Sequence, residues 1–177
     1  MPYSIGTLAG LLVLTSALAA QTNTATRVVG WSYTGTTSEV HSQDIDNKCQ
    51  KATSLFKVFG APASFWGGGT TYDARHESLW VTDGKDIVEM RLADGKVLCK
   101  FTAQKMRSTA VVSGLSIARS KGLLMHLETE KGYAGIRSYS LKTCPPTPLR
   151  DGCTTTLPTG YYSGGLAFDE AEGLVYY

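Results

Sequence analysis

The chain has 177 residues, of which 18% are charged, and its formal net charge at pH 7 is only +2. This balance excludes the strongly basic surface of a nucleic-acid-binding domain, and the composition is not that of a wholly disordered chain. Thr, Ser, Gly, Val and Tyr are plentiful, which favours strands and turns over helices. We therefore expect one all-β protein with no nucleic-acid partner.

The N-terminus, MPYSIGTLAGLLVLTSALAA, has the pattern of a secretory signal. Its apolar run, residues 8–18, has the length of a signal-peptide core and is short for a membrane span. Small residues at Ala17 and Ala19 predict a signal peptide over residues 1–19, cleaved after Ala19 or Ala20, and a short linker over residues 20–26. An uncleaved anchor is the alternative. Because no second apolar run of spanning length follows, we expect a secreted, extracellular protein without membrane contact after cleavage.

A motif recurs three times between residues 27 and 177, in the predicted folded domain. The copies are GGTTYDARHESLWVTDG, SGLSIARSKGLLMHLE and GGLAFDEAEGLVYY. In each, a glycine precedes a large apolar side chain by three residues, and a polar turn then leads to a second apolar run. The motif glycines are Gly69, Gly114 and Gly165, which are 45 and 51 residues apart. A period of this size indicates an internally repeated architecture.

Two further strands fit between one copy of the motif and the next. DIVEMRL alternates with period two, Asp94-Gly95 predicts a hairpin turn, and VLCKF completes the unit. In the next unit, AGIRSYSL and CTTTL take the same places on either side of a proline-rich turn. Four short antiparallel strands per unit of about 45–50 residues are typical of a β-propeller blade. An immunoglobulin-like sandwich is the rival, but it would not require the motif to recur.

The repeats predict an incomplete propeller, with about two full and two partial blades. The first partial blade lies in residues 27–59, and the last begins at Gly164 and reaches Tyr177 in its second strand. Because propellers need four to eight blades to close, we expect a fragment of a longer protein. Pairing with another copy of the chain is the alternative.

The three segments resemble the first two strands of blades in the NHL, YVTN and gluconolactonase-like propellers. There, a G-[LIT]-x-[FYV]-D strand leads through a turn into an LYV-D strand. The resemblance covers roughly residues 64–177, and the middle copy departs from it with Ala118 where the others have Asp73 and Asp169. Gluconolactonase-like enzymes bind a divalent ion at the inner ends of strands, so the resemblance implies calcium as an alternative to having no cofactor.

The four cysteines are expected to form disulfides because the protein is predicted to be exported. Cys144 and Cys153 bracket PPTPLRDG, a turn-forming stretch, and are the preferred pair. Cys49 and Cys99 would then pair with each other, although four cysteines allow three connectivities. No C-x-x-C is present, so no structural zinc site and no other metal site is predicted.

Five residues are candidates for ligand binding. Asp83 and Glu128 follow the second strands of their units, and these loops should share a face with the connections that carry the aromatic candidates Trp66, Tyr161 and Tyr162. Acids and aromatic rings on one face suit a cation, a sugar or a peptide. The alternative is that Asp83 closes a turn with its neighbouring glycine and that the aromatic rings pack between blades.

Other polar residues are given structural interpretations. Asp73, His76 and Glu77 are expected to form a solvated hairpin turn, with Asp73 capping it through the backbone. The glycines of residues 67–69 are expected to open an innermost strand where backbones crowd, and not to cradle a phosphate. His126 lies inside a strand, and no general-base role is predicted for it. No nucleophile or catalytic motif is recognised.

The sequence therefore predicts a secreted propeller-type binding or scaffold module that contacts protein or carbohydrate through its loop face. A metal-dependent hydrolase or lactonase of the gluconolactonase-like kind is the first alternative. A truncated product without independent function is the second. Binding is preferred to catalysis because each repeat supplies at most one convergent acid.

Overall fold

The computed structural model describes residues 27–33, 38–44, 53–59, 68–158 and 164–177. Strands joined by turns and loops make up all of these residues, so the all-β prediction is confirmed for them. In this part of the chain no helix is long and apolar enough to cross a membrane. The predicted signal peptide and linker lie outside the described residues.

The thirteen described strands form four antiparallel sheets. The first sheet contains β1 (Arg27–Tyr33), β2 (Ser38–Asp44) and β3 (Thr53–Phe59). The second contains β4 (Gly69–Asp73), β5 (Ser78–Thr82), β6 (Asp86–Arg91) and β7 (Val97–Thr102). The third contains β8 (Val111–Ala118), β9 (Leu123–Glu130), β10 (Tyr133–Ser140) and β11 (Thr147–Thr156). The fourth contains β12 (Ala167–Asp169) and β13 (Leu174–Tyr176).

Each four-stranded sheet is a meander in which spatial order follows chain order. The two four-stranded units predicted from the repeat are therefore present. The turn at Asp94-Gly95 also forms as predicted: Gly95 has φ +70° and donates its N–H to the carbonyl oxygen of Arg91. Local turn chemistry and period two were sufficient signals for these elements.

Apolar side chains pack between consecutive sheets. Each of three clusters joins residues of neighbouring sheets: Val40 with Leu79, Ile87 with Leu115, and Leu127 with Phe168. The second and third sheets therefore bury both faces, although the period-two alternation of DIVEMRL is typical of a strand with one apolar face. Ile87 faces the third sheet, while Val88 and Met90 belong to the cluster shared with the first.

The motif glycines lie where the first strands of neighbouring sheets approach most closely. A Cβ added at Gly69 would lie 2.7 Å from the Cα of Gly114. A Cβ added at Gly114 would lie 2.8 Å from the carbonyl carbon of Gly165. Real Cβ atoms do not approach backbone so closely, so the recurring glycine allows β4, β8 and the segment before β12 to pack backbone against backbone. The predicted crowding is thus observed at Gly69, while Gly67 lies outside the described residues.

The hairpins that follow these first strands share one backbone position with positive φ. Gly122 and Gly173 occupy it with φ of +62° and +69°, and Glu77 occupies it with φ +46°. The position is equivalent in the second and third sheets, because Leu92 donates to the carbonyl of Glu77 as Leu141 does to that of Gly122. Glu77 is therefore a side-chain-bearing residue at a position that favours glycine.

The disulfide joins Cys99 of β7 to Cys144, with Cα atoms 5.7 Å apart. The predicted Cys144–Cys153 pair is therefore wrong. PPTPLRDG is not a simple turn: β11 begins at Thr147, and Cys153 pairs along that strand with Ile136. Cys153 is exposed and has no sulfur partner among the described residues. Cys49 lies outside them, and its predicted partner Cys99 is taken by Cys144.

Candidate functional site

Asp83 stabilises its own turn between β5 and β6. Its Oδ1 accepts hydrogen bonds from the backbone N–H groups of Lys85 at 2.9 Å and Asp86 at 2.7 Å. Gly84 has φ +95° and donates to the hydroxyl of Thr82. The carboxylate is buried, so the turn-closing alternative describes Asp83 better than the ligand-binding prediction does.

Glu128 lies inside β9, and not in a loop as the sequence suggested. Its carboxylate is fully buried and accepts hydrogen bonds from the N–H groups of Met106 at 2.8 Å and Arg107 at 3.2 Å. Tyr133 donates to it from its hydroxyl at 2.7 Å. These bonds attach the connection between β7 and β8 (residues 103–110) to the third sheet. Glu128 is therefore engaged in holding the fold and is unavailable to a ligand at the surface.

His126 extends this buried network. Its Nδ1 lies 3.1 Å from the hydroxyl of Tyr139, and its Nε2 lies 3.8 Å from Oε2 of Glu128. Burial lowers the pKa of His126 below its ordinary value, against the raising effect of the Glu128 carboxylate. A neutral imidazole can accept the Tyr139 hydroxyl at Nδ1. Its Nε2, 3.8 Å from Glu128, lies beyond hydrogen-bond distance and has no partner among the described residues. Tyr139 also accepts from the N–H of Gln104, and burial raises the pKa of its hydroxyl to about 12.

The charge of Glu128 is stabilised by its hydrogen bonds. Burial raises the pKa of this carboxyl, but His126, Tyr133 and the Met106 N–H together hold the pKa below its ordinary value. Arg107 lies over the Tyr133 ring at 3.8 Å from the centroid and closes the network toward solvent. The network is a structural clamp in which the Glu128 carboxylate is fully engaged, while Nε2 of His126 has no hydrogen-bond partner among the described residues.

The other predicted ligand-binding residues, Trp66, Tyr161 and Tyr162, lie outside the described residues. Of the five candidates, the two described ones, Asp83 and Glu128, are both engaged in structural contacts. Two other places in the described part of the chain have the shape and chemistry to hold a ligand.

The first place is a groove beside the first strands of the second, third and fourth sheets. It is open, has a volume of about 380 Å³, and is lined by side chains from β4, β8 and β12. Tyr72 and Phe168 supply aromatic rings, and Thr70, Thr71 and Ser116 supply hydroxyl groups. The Tyr72 side chain is 42% exposed, so its ring is accessible from the groove.

Charged residues at the ends of the same strands edge this groove. Arg119 donates to the carbonyl oxygen of Tyr72 at 3.1 Å, and Glu170 accepts from the backbone and hydroxyl of Ser120. Hydrogen bonding by Ser120 lowers the pKa of Glu170. These contacts join three sheets across the groove and fix its width.

The second place is at the hairpin between β4 and β5. The sequence predicted a solvated turn there, and His76 and Glu77 are indeed exposed, with Asp73 Oδ1 accepting from the N–H of Arg75 at 3.0 Å. Asp73 itself is buried, however, and Nδ1 of His76 lies 3.9 Å from its Oδ2 and 3.0 Å from Oε1 of Glu89. Sequence reasoning did not single out Glu89. The sequence feature that could have identified Glu89 is a charged residue within a strand, between the apolar core residues Val88 and Met90.

A cavity of about 220 Å³ adjoins this cluster. Trp80, Leu98 and Leu141 form apolar walls, and the Cys99–Cys144 disulfide borders it. The cavity thus places two carboxylates and an imidazole beside an apolar wall.

No protein-family model matches the chain, and no curated protein matches it significantly. The likeness of its repeats to NHL, YVTN and gluconolactonase-like blades therefore remains a resemblance, and function has to be argued from the sites.

Proposed function

We propose that the chain is part of a secreted β-propeller and serves as a carbohydrate-binding module through the groove beside its first strands. The observation that carries this proposal is the exposed Tyr72 ring in a groove edged by hydroxyl and charged side chains. The groove replaces the loop face as the binding surface, because Asp83 and Glu128 are committed to structural contacts.

The stacking of the sheets supports the propeller. Four-stranded meanders that pack face to face in chain order, with their first strands in closest contact, have the arrangement of consecutive blades. In a propeller the first strands line the central channel. On this proposal the groove is one wall of that channel.

The chemistry of the groove suits a sugar. The exposed ring of Tyr72 offers a flat apolar face for a pyranose ring, and the hydroxyls of Thr70, Thr71 and Ser116 can both donate and accept. Phe168 lines the groove as part of its wall, because it packs against the cluster of Leu127 and has Lys121 over its ring. Such a mixture of apolar walls with a few oriented polar groups is typical of small-molecule sites.

Binding is favoured over hydrolysis. Glycoside hydrolysis commonly needs two carboxyl groups that flank the bond to be cleaved. Among the described residues that line the groove, Glu170 alone carries a carboxylate, and it is hydrogen-bonded to Ser120. A lactonase with a bound calcium would likewise need several converging oxygen ligands.

The test is titration of the secreted chain with soluble gluco-, xylo- and chito-oligosaccharides, followed by calorimetry and NMR. At least one series should bind, and Tyr72→Ala should weaken that binding about tenfold because the stacking face is lost. Tyr176→Ala is the matched control, since Tyr176 is also exposed but lies on β13 away from the groove. If no oligosaccharide bound but an unglycosylated protein did, the groove would be a protein-binding site and the carbohydrate proposal would be wrong. Oligosaccharide binding that ignored Tyr72→Ala would refute the proposal.

A further inference from the structure

We propose that Asp73, His76 and Glu89 form a binding site for a divalent first-row transition cation, for which Zn²⁺ is the probe. One ligand atom from each of these residues lies within 4.8 Å of the others. Zinc holds nitrogen and oxygen ligands at about 2.0–2.2 Å, which puts neighbouring ligands roughly 3.4 Å apart in a tetrahedral site. Small side-chain movements are enough to bring the three ligand atoms to this separation. His76 can make them, because its side chain is 61% exposed on the turn.

Strand register explains why these groups meet. Asp73 pairs with Ser78, and Glu89 pairs with Trp80 on one side and Cys99 on the other. Directly paired residues point to the same face of a sheet, so the two carboxylates and the indole line one surface. The turn over residues 74–77 then brings the imidazole of His76 to its edge.

Neighbouring groups already orient the two carboxylates. The Ser78 hydroxyl donates to Oε1 of Glu89 at 2.6 Å, and the N–H of Arg75 donates to Oδ1 of Asp73. Such contacts fix the position of a ligand side chain and are common around metal sites.

The charge of the cluster calls for a cation. Asp73 is 1% exposed and Glu89 is 6% exposed, and buried carboxylates are normally paired or bound to metals. Two cationic side chains are near: Arg75, whose Nε lies 3.7 Å from Oδ1 of Asp73 on a half-exposed side chain, and exposed Lys142, which lines the same cavity. His76 contacts both acids from the solvent side. A divalent ion would neutralise both carboxylates at once.

Trp80 provides an independent indication of a ligand. The indole is 2% exposed, its ring lines the same cavity as the three ligands, and its Nε1 has no hydrogen-bond partner among the described residues. An indole nitrogen can only donate, so this buried N–H lacks an acceptor that a ligand in the adjoining cavity would supply. A zinc site with three protein ligands keeps a position for a water molecule, and such a water would offer the indole an oxygen acceptor.

The donor set selects the metal class. Imidazole suits zinc and its neighbours, whereas calcium prefers six to eight oxygen ligands. The equivalent hairpin of the third sheet carries Ala118 and Lys121 in place of Asp73 and His76. The fold therefore forms the same hairpin without these ligands, so the fold itself does not require them.

The test is calorimetric titration of the full chain with Zn²⁺ after free thiols are alkylated, because exposed Cys153 would otherwise compete. One saturable site is expected, and Ca²⁺ should bind at least tenfold more weakly. His76→Gln and Glu89→Gln should each weaken Zn²⁺ binding at least tenfold, while Glu77→Gln, a change at the exposed neighbour, should have no effect.

Binding that is unchanged in both ligand variants, or no saturable binding at millimolar Zn²⁺, would overturn the proposal. His76→Gln lies on an exposed turn and keeps the test valid if Glu89→Gln impairs folding. Tyr72→Ala should leave Zn²⁺ binding unchanged, so this site and the proposed carbohydrate groove are tested separately.

Discussion

Replacement of Gly114 by alanine tests whether the recurring glycine sets the packing of the sheets. The new Cβ would lie 2.8 Å from the carbonyl carbon of Gly165 and 2.9 Å from the nitrogen of Leu166. Ordinary carbon contacts begin near 3.5 Å, so the fit is short by roughly 0.6–0.7 Å. The obstructing atoms are backbone, so the third and fourth sheets must separate.

Overpacking of this kind destabilises proteins by about 1–3 kcal/mol, and we expect Gly114→Ala to lower the free energy of unfolding by that amount. Gly69→Ala should act in the same direction, because its Cβ would meet the backbone of Gly114 at 2.7 Å. The matched control is Gly164→Ala, where an added Cβ has no neighbour within 4 Å among the described residues.

Urea unfolding followed by tryptophan fluorescence measures these differences. The slope of unfolding free energy against urea should stay constant, so that the midpoint reports stability. If Gly114→Ala were as stable as Gly164→Ala to within about 0.5 kcal/mol, the close approach of the first strands would not be a determinant of the fold.

Three further outcomes are expected. Glu77→Gly should raise the free energy of unfolding by about 0.5–1 kcal/mol, measured in urea, because glycine accepts the φ of +46° without strain. Stability should fall as pH drops below about 6.5, by up to about 1.4 kcal/mol per unit, because the lowered pKa of His126 leaves the extra proton to the unfolded chain. His126→Gln should reduce this dependence of stability on pH. A second loss of stability is expected below about pH 4.5, because the pKa of Glu128 is lowered in the folded protein. Reducing the Cys99–Cys144 bond, which spans 45 residues, should cost about 3–4 kcal/mol of stability, visible as a lower urea midpoint with dithiothreitol.

The sequence was informative where structure depends on local signals. The spacing of Gly69, Gly114 and Gly165 located the first strands, and Asp94-Gly95 located a hairpin. These features depend on glycine conformation and on alternation within a few residues.

The sequence was less informative where partners come from different sheets. Cys144 pairs with Cys99, and not with the nearer Cys153, because stacking brings β7 beside the segment that follows β10. Glu128 was placed in a loop because LETEK is polar, whereas β9 continues to Glu130. Its burial depends on Met106 and Tyr133, contacts that no pattern in the strand itself predicts.

The candidate metal ligands show how the repeat separates fold from function. Asp73 has a counterpart in Asp169, which accepts from the N–H groups of Ala171 and Glu172 as Asp73 accepts from Arg75. Turn capping therefore accounts for Asp73 by itself.

The hairpin gives His76 no such account, and its structural contact is the one with Glu89, whose Oε1 lies 3.0 Å from Nδ1. The equivalent residues are Lys121 and Glu172, and both hairpins form without an imidazole. A metal bound between Asp73 and Glu89 would give His76 a role as a ligand, which the turn does not. The metal would also use Asp73, a capping aspartate that the fold already holds in place. Nothing in the structure explains why Glu77 and not glycine occupies the next position. The metal proposal thus depends on His76 and Glu89, whose replacement tests it most directly.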